Sequence, residues 1–319
     1  MKRAYHIFLM FLILSCSPKE DAYKRSTISM GTTVEIQIIT QNIRRADSAI
    51  DAAFAEIQRL NDKYTVYDSN SYLSKINKSD FFPLDDETYY LFKKCEYYNI
   101  ISKGAFDPAI GNIIKALGFE SSQPELIPED SVLAYLSKNN WKLIQLTSDH
   151  KIIKPLNLRI NLGAIAKGYA VDKMFDIVKS YGFEQFLINA GGEIKCCGKE
   201  WKIGIQHPRQ KDRIIGEIRV KDNSIATSGD YERYRIQNGK RINHIFNPIT
   251  GKVADQCQSV TIISDNTLQA DALATAVFVL GPIEGLKLIE SLNNTEVLIF
   301  DKNGQMYRSN GFKKYYFEQ

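Results

Sequence analysis

Residues Ser259–Gly281 read SVTIISDNTLQADALATAVFVLG. Ser259–Ser264 is short, apolar and β-branched, which predicts a strand. Leu268–Leu280 is rich in Ala and Leu, which predicts a helix. Gly281-Pro282 ends it, and a further helix over Ile283–Leu292 follows. Strands near Glu296–Phe300 and Gln305–Ser309 close the chain. Upstream, Thr33–Thr40 alternates apolar and polar residues as a half-buried strand does. Helices are expected over Ala46–Leu60, Asp86–Ser102, Glu129–Lys138 and Ala164–Tyr181. Further strands are expected at Lys142–Thr147, Leu158–Leu162, Phe186–Asn189, Trp201–Gln206, Gly216–Val220 and Asn243–Phe246. This order lacks the regular βαβ rhythm of a doubly wound nucleotide fold. It predicts an α+β fold with mixed, largely antiparallel sheets and packed helices.

The 319 residues are 44% hydrophobic and 24% charged, an ordinary globular composition with a formal charge of +4. That balance gives no basic field for nucleic acid. The first segment departs from it. Lys2 and Arg3 precede the apolar run Ile7–Leu14, and Ser15-Cys16 follows. The run falls short of the about 18 apolar residues that a spanning helix needs, so it reads as an export signal. Ile13-Leu14-Ser15-Cys16 resembles a bacterial lipobox, in which the chain is cut before the cysteine and the thiol is lipidated. The expected organisation is a signal peptide over 1–15, a lipidated tether over 16–26 and an enzymatic domain over 27–319, exported and anchored to a membrane facing the periplasm or cell exterior. The remaining cysteines, Cys95, Cys196, Cys197 and Cys257, fit no zinc spacing. Cys95 and Cys257 read as core residues, and adjacent Cys196 and Cys197 point to opposite faces if they lie on a strand.

Five stretches could carry chemistry. Asn161–Tyr169 (NLGAIAKGY) runs from a strand through small residues into a helix, a geometry suited to phosphate, with Lys167 adding a movable charge. Asp271 and Thr275, at i and i+4, share a helix face where a carboxylate and a hydroxyl suit Mg²⁺. Helix physics alone instead favours an Asp stabilised by the helix dipole and a core Thr. Ser228–Glu232 (SGDYE) precedes Asn243–Gly251 (NHIFNPITG), where His244 is a candidate general base or a structural histidine. Gly104–Gly111 (GAFDPAIG) reads as an exposed loop. Met30–Thr33 (MGTT) opens the first predicted strand.

In this order, together with YTVYDSNSYLSKIN (64–77) and INAGGEI (188–194), these motifs resemble the ApbE family of FAD:protein FMN transferases. The resemblance runs from Met30 to Gly281. It implies an ApbE-like fold with an active-site cleft between two lobes. It implies a Mg²⁺ ion held by the Ala164 carbonyl, Asp271 and Thr275. FAD would be gripped by Met30, Tyr67, Asp107, Pro108, Ala109, Asn161 and Lys167, with Ile245 beside the flavin nucleotide and His244 as base. The implied reaction transfers FMN from FAD to a threonine hydroxyl of acceptor subunits of exported or membrane electron-transport complexes, releasing AMP. Water in place of threonine would make the same site a FAD pyrophosphatase, and loss of turnover would leave a flavin-binding lipoprotein. The chain departs from the family pattern at Asn161, where Asp is usual, at Asn247, where Asp often stands, and at Leu117, where Trp is common.

Overall fold

The computed structural model describes residues 22–116, 118–120, 140–210, 212–237 and 240–318. The signal peptide, Cys16, Leu117 and the helix expected at Glu129–Lys138 lie outside them. In chain order the elements are β1 (Ala22–Ser29), β2 (Thr32–Ile39), α1 (Ile43–Tyr64), α2 (Tyr72–Asn77), β3 (Phe81–Pro83), α3 (Asp86–Ile101), α4 (Gly111–Ala116), β4 (Gln145–Leu146) and β5 (Lys151–Ile153). Then come α5 (Ala166–Ser180), β6 (Phe186–Ala190), β7 (Glu193–Cys197), β8 (Trp201–Gln206), β9 (Ile214–Val220), β10 (Ser224–Gly229), β11 (Tyr234–Gln237) and β12 (Lys240–Asn243). The chain closes with β13 (Cys257–Ser264), α6 (Thr267–Glu290), β14 (Glu296–Asp301), β15 (Met306–Arg308) and β16 (Tyr316–Glu318).

Eight strands form one sheet in the order β1-β2-β6-β7-β10-β13-β14-β15. All its pairings are antiparallel. The fold is α+β, as the irregular element order predicts. One face packs against α1, α5 and α6. The other meets the three-stranded sheet β16-β9-β8. Side-chain alternation sorts neighbours between these layers: Cys197 joins the helical core and Cys196 the opposite one. Cys95 and Cys257 are buried core residues. β13 is buried along its whole length because both its faces are covered, which is why SVTIIS reads as an almost unbroken apolar run.

Helices α5 and α6 cap each other. The residue before α5, Ile165, offers no side-chain cap; instead Asp271 of α6 accepts from the Gly168 N–H at 2.9 Å. In return, Asp172 of α5 accepts from the Thr267 and Leu268 N–H groups at 3.0 and 2.9 Å, at the start of α6. Each carboxylate satisfies helix-terminal donors that would otherwise be orphaned. Glycine is required at 168 for this approach: a Cβ there would lie 2.3 Å from the Thr267 carbonyl oxygen. Gly281 (φ 79°) breaks the helical path of α6 ahead of Pro282, as the sequence predicts, and helical hydrogen bonding resumes to Glu290.

Several elements differ from expectation. β1 starts at Ala22, inside the segment expected as tether. Its eight residues pair with β2, but Tyr23 and Arg25 dock on Asp47 of α1 through polar contacts, so the strand carries no apolar alternation to read. Leu158–Leu162 joins no ladder. Asn77 stands in for a strand partner, donating to the Ile160 carbonyl at 2.9 Å and accepting from the Ile160 N–H at 2.8 Å. Lys142–Thr147 shrinks to a 3₁₀ turn and the two residues of β4. The strand expected at Asn243–Phe246 ends at Asn243, whose Oδ1 accepts from the Ile245 N–H at 2.8 Å and turns the chain.

Candidate functional site

A cavity of about 380 Å³ opens where the β1–β2 turn, residues 105–114 and 119–120, the start of α5, the residues on either side of the β11–β12 pair and α6 meet. Met30, Tyr67, Asp107, Pro108, Asn161, Ala164, Lys167, His244, Ile245, Asp271 and Thr275 all line it. Ala109 does not: it is fully buried behind the wall, and its N–H donates to Asp107 Oδ1 at 2.8 Å.

Local rules place each group. Met30 and Gly31 both have positive φ (49° and 74°) and form the two-residue connection between β1 and β2, the geometry of a type I′ hairpin. That turn projects Met30 into the cavity wall. Tyr67 stands at the rim, 65% exposed, with its hydroxyl 3.4 Å from Arg233 Nη2.

GAFDPAIG is not an exposed loop: Ala105, Phe106, Asp107 and Ala109 are buried. Asp107 caps a 3₁₀ turn and also accepts from the Trp141 N–H at 3.0 Å. Burial pushes its carboxyl up to about 6, against the pull of these donors. Gly111 closes the motif because its backbone abuts Arg159: its N–H donates to the Arg159 carbonyl at 3.0 Å, and a Cβ would lie 2.7 Å from that oxygen.

The polar centre of the cavity lies on α5, α6 and β7. Lys167 pairs with Glu193, which is only 2% exposed. Burial alone would push the Lys167 ammonium down, but Glu193, Asp271 and Glu232 outweigh it and hold it protonated. Burial raises the Asp271 carboxyl, with Lys167 and the Gly168 N–H pulling the other way. Among the described residues, Glu193 Oε2 is buried without a hydrogen-bond partner. One turn beyond Asp271, the Thr275 hydroxyl lies 3.4 Å from Ser228 Oγ. Three carboxyl groups therefore face one lysine; burial raises all three, and a bound cation would favour their charged forms.

His244 follows β12. Its Nδ1 is 3.1 Å from the Arg233 carbonyl oxygen. A carbonyl only accepts, so Nδ1 carries the proton and Nε2 keeps a free lone pair. Burial pushes the imidazole down to about 4, leaving it neutral at pH 7.

Glu193, Glu232 and Glu120 also line the cavity and were not singled out one by one in the motifs. An acid opening a strand after Gly191-Gly192 was the available signal for Glu193, and Glu232 lay within a stretch already singled out. Glu120 gave none, because its placement depends on the path of the loop after α4.

The sequence profile of the ApbE family matches residues 30–299. The chain belongs to the ApbE family. It is 30% identical to the FAD:protein FMN transferase of Vibrio cholerae over 96% of this chain and 94% of that one. It is 29% identical to the Klebsiella pneumoniae protein of the same name, over 88% and 90% of the two chains. Among solved structures, the ApbE protein of Thermotoga maritima superposes with a TM-score of 0.87 at 31% identity, covering 94% of this chain and all of that one. The flavin transferase ApbE from Vibrio cholerae gives 0.83 at 29% identity, over 92% of this chain and all of that one. This ApbE membership fits the order of elements around the cavity.

Proposed function

We propose that this ApbE protein is an FAD:protein FMN transferase: with magnesium, it moves the FMN moiety of FAD onto a threonine hydroxyl of an acceptor protein and releases AMP. The observation that carries the reading is the meeting of a neutral, tautomer-fixed His244 with Lys167, Asp271 and Thr275 in one cavity.

The residues fit a magnesium ion by donor chemistry. Among the described residues no three His, Cys, Asp or Glu side chains are placed to hold a metal. Asp271, Thr275 and the Ala164 carbonyl offer oxygen only, and Mg²⁺ commonly takes few protein ligands and completes its shell with water and substrate phosphates. When bound, the ion supplies charge neutralisation at the pyrophosphate. The chain's own groups do the rest. Lys167, kept protonated by its acidic neighbours, holds phosphate charge. The free Nε2 of His244 takes the proton as the threonine Oγ–P bond forms and the bond from phosphorus to the AMP oxygen breaks. Met30, Tyr67 and Ile245 supply walls against the flavin nucleotide.

We further propose that the chain is exported and lipidated at Cys16, so that it works at a membrane surface on flavoprotein subunits of exported or membrane electron-transport complexes. The support is the charged, apolar and Ser-Cys order of the first sixteen residues.

The test incubates the soluble domain with FAD and Mg²⁺, with and without an acceptor subunit. AMP release with covalent flavin on a threonine supports the transferase. AMP and FMN released equally without acceptor would make it a pyrophosphatase, and FAD bound but unchanged would make it a carrier. Loss of acyl labelling in Cys16→Ser tests the anchor.

A further inference from the structure

Asn161 stands where the family pattern usually has Asp, and the structure gives the reason. Asn161 Oδ1 accepts from the Gly163 N–H at 2.8 Å, a bond that Asp could also make. Its Nδ2, however, donates to Glu120 Oε1 at 2.9 Å. A carboxylate at 161 would place two negative charges in hydrogen-bond contact. The other Glu120 oxygen pairs with Arg159 Nη2 at 2.8 Å, and the Glu120 side chain is only 6% exposed. A buried carboxylate is thus fixed from two sides, and both it and Asn161 line the cavity.

The surroundings are those of a planar ligand. Phe119 lies beside Glu120 and meets Phe246 edge-on at 5.7 Å. The Arg235 guanidinium sits 4.5 Å from the Phe119 ring centroid, and the Tyr67 hydroxyl is 3.5 Å from the Phe119 carbonyl. Aromatic faces stack rings. Among the described residues, Glu120 keeps lone pairs for a donor, and Asn161 Nδ2 keeps a second N–H for an acceptor.

We propose that Glu120 and Asn161 form a recognition pair that reads a ring edge bearing an N–H donor beside an acceptor, on the dinucleotide bound in this cavity. Both the amino edge of adenine and the imide edge of the flavin carry that pattern. The pair places its acidic group at position 120, and it rests on the FAD reading above.

The experiment measures dissociation constants for FAD, ADP and FMN with wild type, Glu120→Ala, Asn161→Asp and the double variant Glu120→Gln/Asn161→Asp, with thermal unfolding of each. A lost hydrogen bond to a charged group predicts that Glu120→Ala weakens FAD about 10-fold or more. It should weaken one half-ligand to the same degree and spare the other; ADP or FMN then identifies the ring. Asn161→Asp should weaken the same half. The double variant should recover much of that loss, because an amide again faces a carboxylate. Wild-type affinity for all three ligands in Glu120→Ala overturns the proposal, as does equal loss of both halves. Wild type that binds neither FAD nor its halves instead removes the FAD reading itself.

Discussion

The backbone N–H of Gly168 donates to Asp271 Oδ2 at 2.9 Å, so a proposed metal ligand on α6 is also the N-terminal cap of α5. Helix geometry and site geometry are therefore one constraint. A methyl group at 168 would sit 2.8 Å from Asp271 Cβ as well as against the Thr267 carbonyl. Gly168→Ala should cost about 1–3 kcal/mol by overpacking and displace Asp271. Thermal unfolding should show the loss, and FMN transfer should fall further than the stability change explains. A variant with wild-type stability and turnover would refute the coupling.

Asp271→Asn separates the two jobs. The amide oxygen can still accept from Gly168, and a buried carboxyl that its surroundings hold above its ordinary range is replaced by a neutral group. Stability without metal should be unchanged or higher. Transfer should drop by on the order of 100-fold or more, as expected when charge stabilisation of a phosphoryl transfer is lost. Wild type should gain thermal stability on Mg²⁺ addition through mass action, and the variant should not. An equal Mg²⁺ response in both proteins would count against Asp271 as a ligand.

His244 is neutral down to about pH 4 because burial disfavours the imidazolium. Its base form is present above that value and lost below it. The acidic limb of kcat/KM assigned to this residue should therefore lie well below the ordinary imidazole pKa of about 6.5. His244→Ala should lower kcat by roughly 100- to 10,000-fold with little change in FAD affinity. A wild-type limb near the ordinary value that vanishes in the variant would show the imidazole to be unperturbed.

Glu87 predicts acid sensitivity far from the chemistry. Burial would raise its carboxyl, but Arg59 and Lys63, at 2.7 and 2.6 Å, pull it down to about 2. It also accepts from the Tyr169 hydroxyl at 3.2 Å, which ties α1 and α3 to α5. A depressed carboxyl contributes stability that is complete above the unfolded value of about 4.3 and is lost as pH falls through the folded one. Urea unfolding at pH 7 and pH 3 should show Glu87→Gln less stable than wild type by roughly 1–2 kcal/mol at pH 7, after allowance for solvent screening. The gap should narrow at pH 3. A gap that widens on acidification would contradict the sign.

The strongest elements were legible because burial on one or both faces writes a period into the sequence. β2, α1 and β13 announce themselves in this way. β1 did not, since Tyr23 and Arg25 hold it to Asp47 by polar contacts that leave no apolar pattern. Leu158–Leu162 does alternate, with Leu158, Ile160 and Leu162 buried, yet the Ile160 backbone pairs with the Asn77 side chain instead of a ladder. Among site residues, those inside ordered motifs could be placed from sequence. Glu120 could not, because nothing near it in the chain marks it.

The sequence by itself determined the α+β class and the ordered motifs that place the chain in the ApbE family. It also placed Asp271 and Thr275 on one helix face, because a helix repeat is local and fixed. Tertiary structure alone decided what those groups touch: Asp271 against Gly168, Lys167 against Glu193, and Asn161 against Glu120. Each of these pairs spans 26 or more residues of chain. Contacts of that range depend on how separate elements pack, and no local spacing encodes them.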